Sequence, residues 1–145
     1  MRIREATAED VDRLVEMGCA FLEASAYAGR IRKNPAQMAA LIEQLIGMET
    51  GAVLVAERHA EPVGMIGLIV YPHSISGDLT GAELFWWVNP EARGRTGIAL
   101  LRAAERWAKD RGAQQMLMIA PNKDVEQLYA ALQYTPLEVT YERTL

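Results

Sequence analysis

Apolar residues recur along the chain with two different periods, and these periods predict a mixture of helices and strands. Helical spacing predicts four helices, at about residues 8–25, 35–51, 96–111 and 122–132. Alternating or continuous apolar runs predict six strands, at about residues 1–6, 52–57, 63–71, 84–88, 115–120 and 137–145. The segment 74–81 has little apolar content and is predicted to be a loop.

The order of these elements predicts a mixed α/β (α+β) fold. Two apolar runs separated by a turn at 59–62 indicate an antiparallel hairpin. A strand, a helix and a second strand between residues 84 and 120 indicate one parallel crossover. We therefore expect a mostly antiparallel sheet with one parallel pair, helices on both faces, and a single domain over residues 1–145.

Polar residues, glycine and proline mark several boundaries of these elements. Asn34 before Pro35 predicts a helix start, and Asn122 predicts another. Gly112 predicts the left-handed residue that ends the third helix. Gly64 and Gly67, inside a predicted strand, indicate a bulge or a close packing contact.

Composition narrows the classes of function. Half of the residues are hydrophobic and 23% are charged, which is typical of a globular domain. The net charge of −4 argues against general nucleic-acid binding. No apolar run approaches the roughly 20 residues of a membrane span, and the N-terminus has no apolar segment of a signal peptide. A single cysteine, Cys19, allows no internal disulfide, so we expect a reducing, cytoplasmic location.

The stretch from Glu83 to Gly112 carries the strongest sign of chemistry. An apolar strand ends at Asn89-Pro90, and a loop with two glycines and two arginines leads into a helix. Free N–H groups and the positive dipole end at a helix start attract anions, so the loop is interpreted as a phosphate or pyrophosphate site. The plainer interpretation is a turn before a helix.

Two motifs in and after this stretch resemble those of the GNAT superfamily of acetyl-CoA-dependent N-acetyltransferases. V-N-P-E-A-R-G-R-T-G-I-A-L-L at 88–101 is similar to the family's pyrophosphate loop, V-x-P-x-x-R-G-x-G-x-G-x-x-L-L. N-K-D-V-E-Q-L-Y-A-A-L-Q-Y at 122–134 is similar to N-x-x-A-x-x-L-Y-x-x-x-G-F. Thr96 stands where the first loop motif has a glycine, and Gln133-Tyr134 replaces the late Gly-Phe.

The resemblance implies how the cosubstrate acetyl-CoA is held. Backbone N–H groups of the loop would bind the pyrophosphate, the strand before it would lie beside the thioester, and the asparagine that caps the last helix would contact the pantetheine arm. No metal is implied. The implied cofactor-binding residues are Trp86, Trp87, Val88, Arg93, Gly94, Arg95, Thr96, Gly97, Ile98, Ala99 and Asn122.

Acetyl transfer to an amine also requires proton transfers. The resemblance points to Glu83, at the start of the central strand, as general base, with His73 or a water as alternatives. Tyr129 matches the family's tyrosine acid, which would protonate the leaving thiolate. Glu83 could instead be an exposed strand-end carboxylate, and Tyr129 could be a core tyrosine.

The function implied is direct transfer of an acetyl group from acetyl-CoA to a primary amine. The acceptor, a small molecule or a protein, is not indicated, although the basic loop 27–34 would lie near its site. The alternative function is an acetyl-CoA-binding sensor or interaction module with little transferase activity. A homodimer is plausible for the family, and neither nucleic acid nor membrane is expected as a partner.

Overall fold

Five strands form one mixed sheet in the order β1-β2-β3-β4-β5. The computed structural model describes all residues from 1 to 145. The strands are β1 (Arg2–Glu5), β2 (Gly51–Arg58), β3 (Glu61–Pro72), β4 (Leu79–Val88) and β5 (Gln115–Leu117), and the helices are α1 (Val11–Ala24), α2 (Pro35–Gly47), α3 (Arg95–Asp110) and α4 (Lys123–Ala131). Only β4 and β5 are parallel, which confirms the predicted mixed fold with one parallel crossover.

Helices cover both faces of the sheet, as predicted. One buried cluster joins Leu14 of α1 and Ile42 of α2 to the sheet at Met65. A second joins Leu100 and other residues of α3 to Ile66 on the opposite face. Because successive side chains of a strand alternate between faces, each central strand contributes to both clusters.

The predicted boundary signals act as expected. The side chain of Asn34 accepts a hydrogen bond from the N–H of Gln37, and that of Asn122 accepts from Val125. Gly112 ends α3 with a φ of 86°. Each carboxamide thus satisfies an N–H group that the first turn of its helix leaves free.

The glycine predicted to mark a bulge does so. Gly67 pairs with Phe85 and Leu68 pairs with Glu83, so Leu84 is an extra residue in β4. A Cβ at Gly67 would lie 2.4 Å from the ring of Phe85, closer than any side chain allows. The glycine therefore makes room for an aromatic ring at the bulge.

Four element predictions need correction. β4 already begins at Leu79, so the predicted loop ends earlier and Glu83 lies inside the strand. β5 is short and lies at the sheet edge instead of in the core, and α2 ends at Gly47. The predicted strand at 137–145 is wrong, because this segment is extended, exposed and without backbone partners in the chain.

None of the helices combines the length and the apolar character that crossing a membrane requires.

Candidate active site

The parallel strands β4 and β5 form a fork. They pair only between Thr80–Ala82 and Gln115–Leu117. β4 then continues to Val88, paired on its other side with β3, while β5 ends. The side of β4 that faces away from β3 therefore has no strand neighbour beyond Ala82.

The register shows which backbone groups face this free edge. Asn89 donates its N–H to the carbonyl of Val63 at 2.9 Å. Alternate residues of an antiparallel strand exchange hydrogen bonds with the same neighbour, so the N–H and C=O of Trp87 also point to β3. The N–H and C=O groups of Trp86 and Val88 point to the free edge. The structure thus places the backbone of Trp86 and Val88, but not that of Trp87, where an extended ligand could pair.

The two adjacent indoles face opposite sides of the sheet, as predicted. Trp87 packs with the α1–α2 cluster, and its Nε1 donates to Asn89 at 3.0 Å. Trp86 packs on the α3 side, beside Gly97, where a Cβ would lie 3.3 Å from the ring. The Nε1 of Trp86 is buried without a hydrogen-bond partner.

Glu83 is the first residue of β4 beyond the paired segment, so its carboxylate lies at the fork. The residue is buried, and its Oε2 accepts a hydrogen bond from the N–H of Ile119 at 3.0 Å. Burial raises the pKa of the carboxyl to about 7, although the Ile119 N–H opposes this rise. Glu83 is therefore not the exposed strand-end carboxylate considered from the sequence, and it titrates near neutrality.

Tyr129 of α4 contacts the backbone of the same residue, Ile119, through its carbonyl group. Its hydroxyl donates to the carbonyl oxygen of Ile119 at 3.0 Å. Its ring stacks on Trp86 with centroids 6.3 Å apart and lies 5.3 Å from that of Tyr134. Burial, followed by the nearby Glu83 carboxylate and Tyr134, raises the pKa of the phenol, so the phenol stays protonated at neutral pH.

The backbone of Ile119, through its N–H and its C=O, thus brings Glu83 and Tyr129 together, although 46 positions separate them in the sequence. The competing base, His73, lies in the turn before β4, and its Nδ1 accepts the N–H of Ile75 at 3.2 Å. At about 3.3 Å per strand residue, that turn lies more than about 13 Å from Glu83. The structure does not bring His73 to the fork.

The start of α3 offers free backbone donors next to the open end of the fork. Gly94 precedes the helix with φ 89° and ψ −118°, a conformation that favours glycine. The N–H groups of Gly94, Arg95 and Thr96 have no hydrogen-bond partner. They form a short run of donors at the positive end of the helix dipole, which suits an anion.

Other amides of the predicted loop are already engaged. The N–H of Arg93 donates to Pro90 at 3.4 Å, and that of Gly97 donates to Gly94 at 3.1 Å. Ala99 lies inside α3, where its N–H points to the carbonyl of Arg95 four residues earlier. Within the predicted contact segment, the consecutive free amides are those of Gly94, Arg95 and Thr96.

Thr96 is buried in the interior at the position where the family motif has glycine. Its Oγ1 accepts a hydrogen bond from Nη2 of Arg58 at 3.0 Å. The side chain therefore points into the protein, and its N–H has no hydrogen-bond partner although the residue as a whole has no exposed surface. Arg58, at the end of β2, brings a third guanidinium to a loop where the sequence showed only Arg93 and Arg95.

The two predicted arginines differ in their contacts. Nε of Arg93 donates to the carbonyl of Val88 at 3.1 Å, and its guanidinium lies 5.1 Å from the centre of the Trp87 ring. Arg95 is exposed and forms no ion pair. Only Arg95 is thus available to a ligand without breaking an existing contact.

At the end of α4 the chain departs from the family motif at two positions, Gln133 and Tyr134, and the fold accommodates both residues. Gln133 adopts a φ of 68° where the motif has glycine. The hydroxyl of Tyr134, which replaces phenylalanine, donates to Glu105 of α3 at 2.8 Å. Helix α4, which carries Tyr129, is thereby tied to α3.

Ile119, Arg58 and Glu105 were not identified from the sequence as parts of this region. Ile119 acts through its backbone, which no side-chain pattern reveals. Arg58 and Glu105 lie 38 and 29 positions from the residues they contact. Only the tertiary fold places them there.

The arrangement combines a free strand edge, a helix start with free N–H donors, and two proton-carrying groups that contact the backbone of one residue, Ile119. The chain matches the family model described as Acetyltransferase (GNAT) family over residues 14–134. No curated protein sequence matches it.

Solved structures show the same fold at low sequence identity. A transcriptional regulator from Bacillus halodurans C-125 is 22% identical, with a TM-score of 0.82 over 99% of both chains. A ribosomal-protein-alanine N-acetyltransferase from Brucella melitensis is 18% identical, with a TM-score of 0.76 over 100% of both. An aminoglycoside 6'-N-acetyltransferase from Acinetobacter haemolyticus is 17% identical, with a TM-score of 0.77 over 100% of this chain and 99% of that one.

Proposed function

The chain belongs to the GNAT family of acetyltransferases, and on that premise we propose that it transfers an acetyl group from acetyl-CoA directly to a primary amine. In this proposal both substrates bind at the fork together, so no covalent enzyme intermediate is needed. Cys19, the only thiol, lies in α1 and contacts Met38, away from the fork.

One observation carries this proposal: the free edge of β4 leads directly to the free amides at the start of α3. Trp86 presents its N–H and C=O along that edge, and Val88 presents its N–H, since its carbonyl already accepts from Arg93. The free donors of Gly94, Arg95 and Thr96 follow. An extended arm with amide groups that ends in a pyrophosphate matches this order of donors and acceptors. Coenzyme A has that form, so acetyl-CoA fits the residues present.

The affinity for acetyl-CoA can be estimated from the number of free hydrogen-bond donors. Charge-assisted hydrogen bonds contribute about 1.5–3 kcal/mol each, and the helix dipole adds about 0.3–1 kcal/mol. Three free amides and the Arg95 guanidinium, together with the strand contacts, offset association costs of several kcal/mol. Micromolar affinity is expected.

The acceptor amine must lose a proton to attack the thioester carbonyl. An amine of pKa about 10.4 is neutral in about one molecule in 2,500 at pH 7, a deficit of about 4.6 kcal/mol. In our proposal Glu83 accepts this proton, directly or through a water. Its Oε1 has no partner, and its pKa of about 7 suits a base at neutral pH.

The remaining steps use Trp86 and Tyr129. The Trp86 N–H at the free edge stabilises the developing charge on the carbonyl oxygen as the new C–N bond forms. When the C–S bond breaks, the CoA thiolate takes a proton from the Tyr129 hydroxyl. This hydroxyl must rotate away from the Ile119 carbonyl to donate it. The raised pKa keeps the phenol protonated before the reaction but makes it a weaker acid, so the transfer depends on the negative charge that develops on the leaving sulfur.

The acceptor class is best approached by screening. Structural relatives include proteins named as acting on a ribosomal-protein alanine and on aminoglycosides, so both a peptide N-terminus and an aminoglycoside belong in the panel. Polyamines and free amino acids complete it. Acetyl-CoA binding is measured by calorimetry, and turnover is measured by release of the CoA thiol.

A pair of variants at Arg95 isolates the amide contribution to binding. Arg95→Pro removes the free N–H at the first helical position, where proline is well tolerated. Arg95→Ala keeps the N–H and removes only the guanidinium. We expect Arg95→Pro to bind acetyl-CoA about tenfold more weakly than Arg95→Ala. Equal affinities, with the fold intact by circular dichroism, would refute the pyrophosphate assignment.

The alternative, a binding module without efficient transfer, makes a different prediction. Both Glu83 and Tyr129 are hydrogen-bonded to the backbone of Ile119, which would suit a structural role in such a module. Tight acetyl-CoA binding with no thiol release for any amine in the panel would favour it. Turnover that falls in Tyr129→Phe would favour the transferase.

A further inference from the structure

Few contacts attach helix α4 to the rest of the chain. Tyr129 is its only buried residue, and none of its residues belongs to either buried cluster. Its one ion pair lies within the helix. Two hydrogen bonds connect residues 122–134 to the rest of the chain: the Tyr129 hydroxyl donates to Ile119, and the Tyr134 hydroxyl donates to Glu105.

The turn after α4 fixes the position of Tyr134 relative to Tyr129. The N–H of Tyr134 donates to the carbonyl of Tyr129 at 2.9 Å, and that of Gln133 donates to the carbonyl of Ala130 at 3.1 Å. These two bonds and the positive φ of Gln133 form the Schellman motif that commonly ends helices. The two tyrosine rings also lie 5.3 Å apart. A displacement of Tyr134 would therefore move Tyr129 with it.

Glu105 provides a fixed acceptor for Tyr134. Its Oε1 accepts the Tyr134 hydroxyl at 2.8 Å, and its Oε2 accepts from Nη1 of Arg102 at 3.0 Å. The helix that carries it, α3, packs on the sheet through residues such as Leu101 and Ala104, which have no exposed surface. Burial, followed by Glu105, raises the pKa of the Tyr134 phenol although Arg102 opposes this rise, so the hydroxyl keeps the proton that it donates.

We propose that the hydrogen bond between Tyr134 and Glu105 positions Tyr129 at the fork while its proton moves from the phenol oxygen to the CoA sulfur, a role that rests on the acetyl-transfer proposal. In that step the Tyr129 hydroxyl leaves the carbonyl of Ile119. The bond from Tyr134 to Glu105 is then the one remaining hydrogen bond between residues 122–134 and the rest of the chain. Because a misplacement of about 1 Å can cost about 10²-fold in rate, a contact that fixes α4 during this step affects turnover.

The hydroxyl of Tyr134 is a feature of this chain, since the family motif has phenylalanine at this position. The residue before it departs as well, because Gln133 adopts a φ of 68° that glycine adopts with less strain. A hydrogen bond to a charged acceptor is stronger than one between neutral groups, and here it stabilises the strained turn. Tyr134→Phe therefore restores the residue of the motif and removes only the oxygen that contacts Glu105.

The first test compares kcat in two backgrounds. Tyr134→Phe should lower kcat about tenfold and leave the Kd of acetyl-CoA within about twofold, because the free amides of α3 and the edge of β4 are unchanged. In a Tyr129→Phe background the same substitution should change kcat by less than about twofold, since Tyr134 acts through Tyr129. Glu105→Gln keeps an oxygen acceptor and should retain most of the activity, whereas Glu105→Ala should match Tyr134→Phe. Tyr141→Phe, which removes an exposed hydroxyl, is the matched control and should have no effect.

The second test does not depend on turnover. Hydrogen exchange of the backbone amides in 122–134, followed by mass spectrometry, measures how often α4 opens. Tyr134→Phe and Glu105→Ala should exchange about tenfold faster in this segment than the wild type and Tyr141→Phe.

Three results would overturn the inference. They are unchanged exchange in the segment, a kcat that Tyr129→Phe lowers and Tyr134→Phe leaves unchanged, and an equal loss of kcat through Tyr134→Phe in both backgrounds. A wild type without turnover for any amine refutes the acetyl-transfer proposal itself, and this inference with it.

Discussion

Replacing Glu83 by glutamine is expected to stabilise the protein at alkaline pH while reducing its activity. Burial raises the pKa of this carboxyl from an ordinary value of 4.5 to about 7. Between these pH values the folded chain keeps a proton that the unfolded chain has lost. Stability therefore falls as pH rises through this window, and the loss is complete above about pH 7.

The size of the effect follows from the two pKa values. At about 1.36 kcal/mol for each pH unit, ionising Glu83 costs the folded state about 3 kcal/mol relative to the unfolded chain. Glutamine is neutral at every pH and can still accept the Ile119 N–H through its carbonyl oxygen. Any cost of placing its NH₂ group is independent of pH, so it cancels in the comparison between pH values.

The assay is urea denaturation of wild type and Glu83→Gln at intervals from pH 4 to 8.5. The difference in unfolding free energy should shift in favour of the variant by about 3 kcal/mol across this range. Glu43→Gln, an exposed replacement on α2, is the matched control and should show no such trend. A difference that stays constant with pH would refute the argument that burial holds Glu83 neutral.

The same variant tests the role of Glu83 in turnover. If Glu83 is the base, kcat/KM of the wild type should rise through about pH 7, and Glu83→Gln should lose about 10²–10⁴-fold without that limb. If the variant gains stability at high pH and keeps full activity, burial raises the pKa of Glu83 but another group accepts the proton of the amine.

Three further variants test other contacts. Tyr129→Phe should lower kcat about 10²-fold with little change in acetyl-CoA affinity. Because the variant loses the hydrogen bond to Ile119, its unfolding free energy should fall by about 1 kcal/mol. An unchanged kcat would show that the phenol takes no part in the mechanism. Gly94→Ala should cost about 1–3 kcal/mol by denaturation, because its φ of 89° strains alanine, whereas Gly47→Ala, in open space, should be neutral. Gly67→Ala should cost about 1–3 kcal/mol through its clash with Phe85, and a neutral result would show that the ring moves freely.

The local pattern of the sequence determined most of the elements and their boundaries. Helix caps such as Asn34 and Asn122 act within three residues, so the sequence alone identifies them. The hairpin and the parallel crossover follow from the lengths of the connections, which chain geometry restricts strongly. The two motifs that resemble the GNAT family are also local, and the match over residues 14–134 confirms that family.

What the sequence could not determine depends on neighbours distant in the chain. The burial of Glu83 exists only because β4 extends past β5 and α4 closes over the fork, so its raised pKa has no local signal. The contacts of Glu83 and Tyr129 to Ile119 are made to its backbone, and the Arg58 contact to Thr96 spans 38 positions.

In the last segment, by contrast, a clear local pattern predicted an element that the fold does not contain. Residues 137–145 alternate as a strand should, and this predicted a sixth strand of the sheet. Alternation specifies only that one face seeks an apolar partner, not where that partner lies. The chain's own fold leaves this face exposed, so the tertiary structure, and not the local pattern, decided that the segment lies outside the sheet.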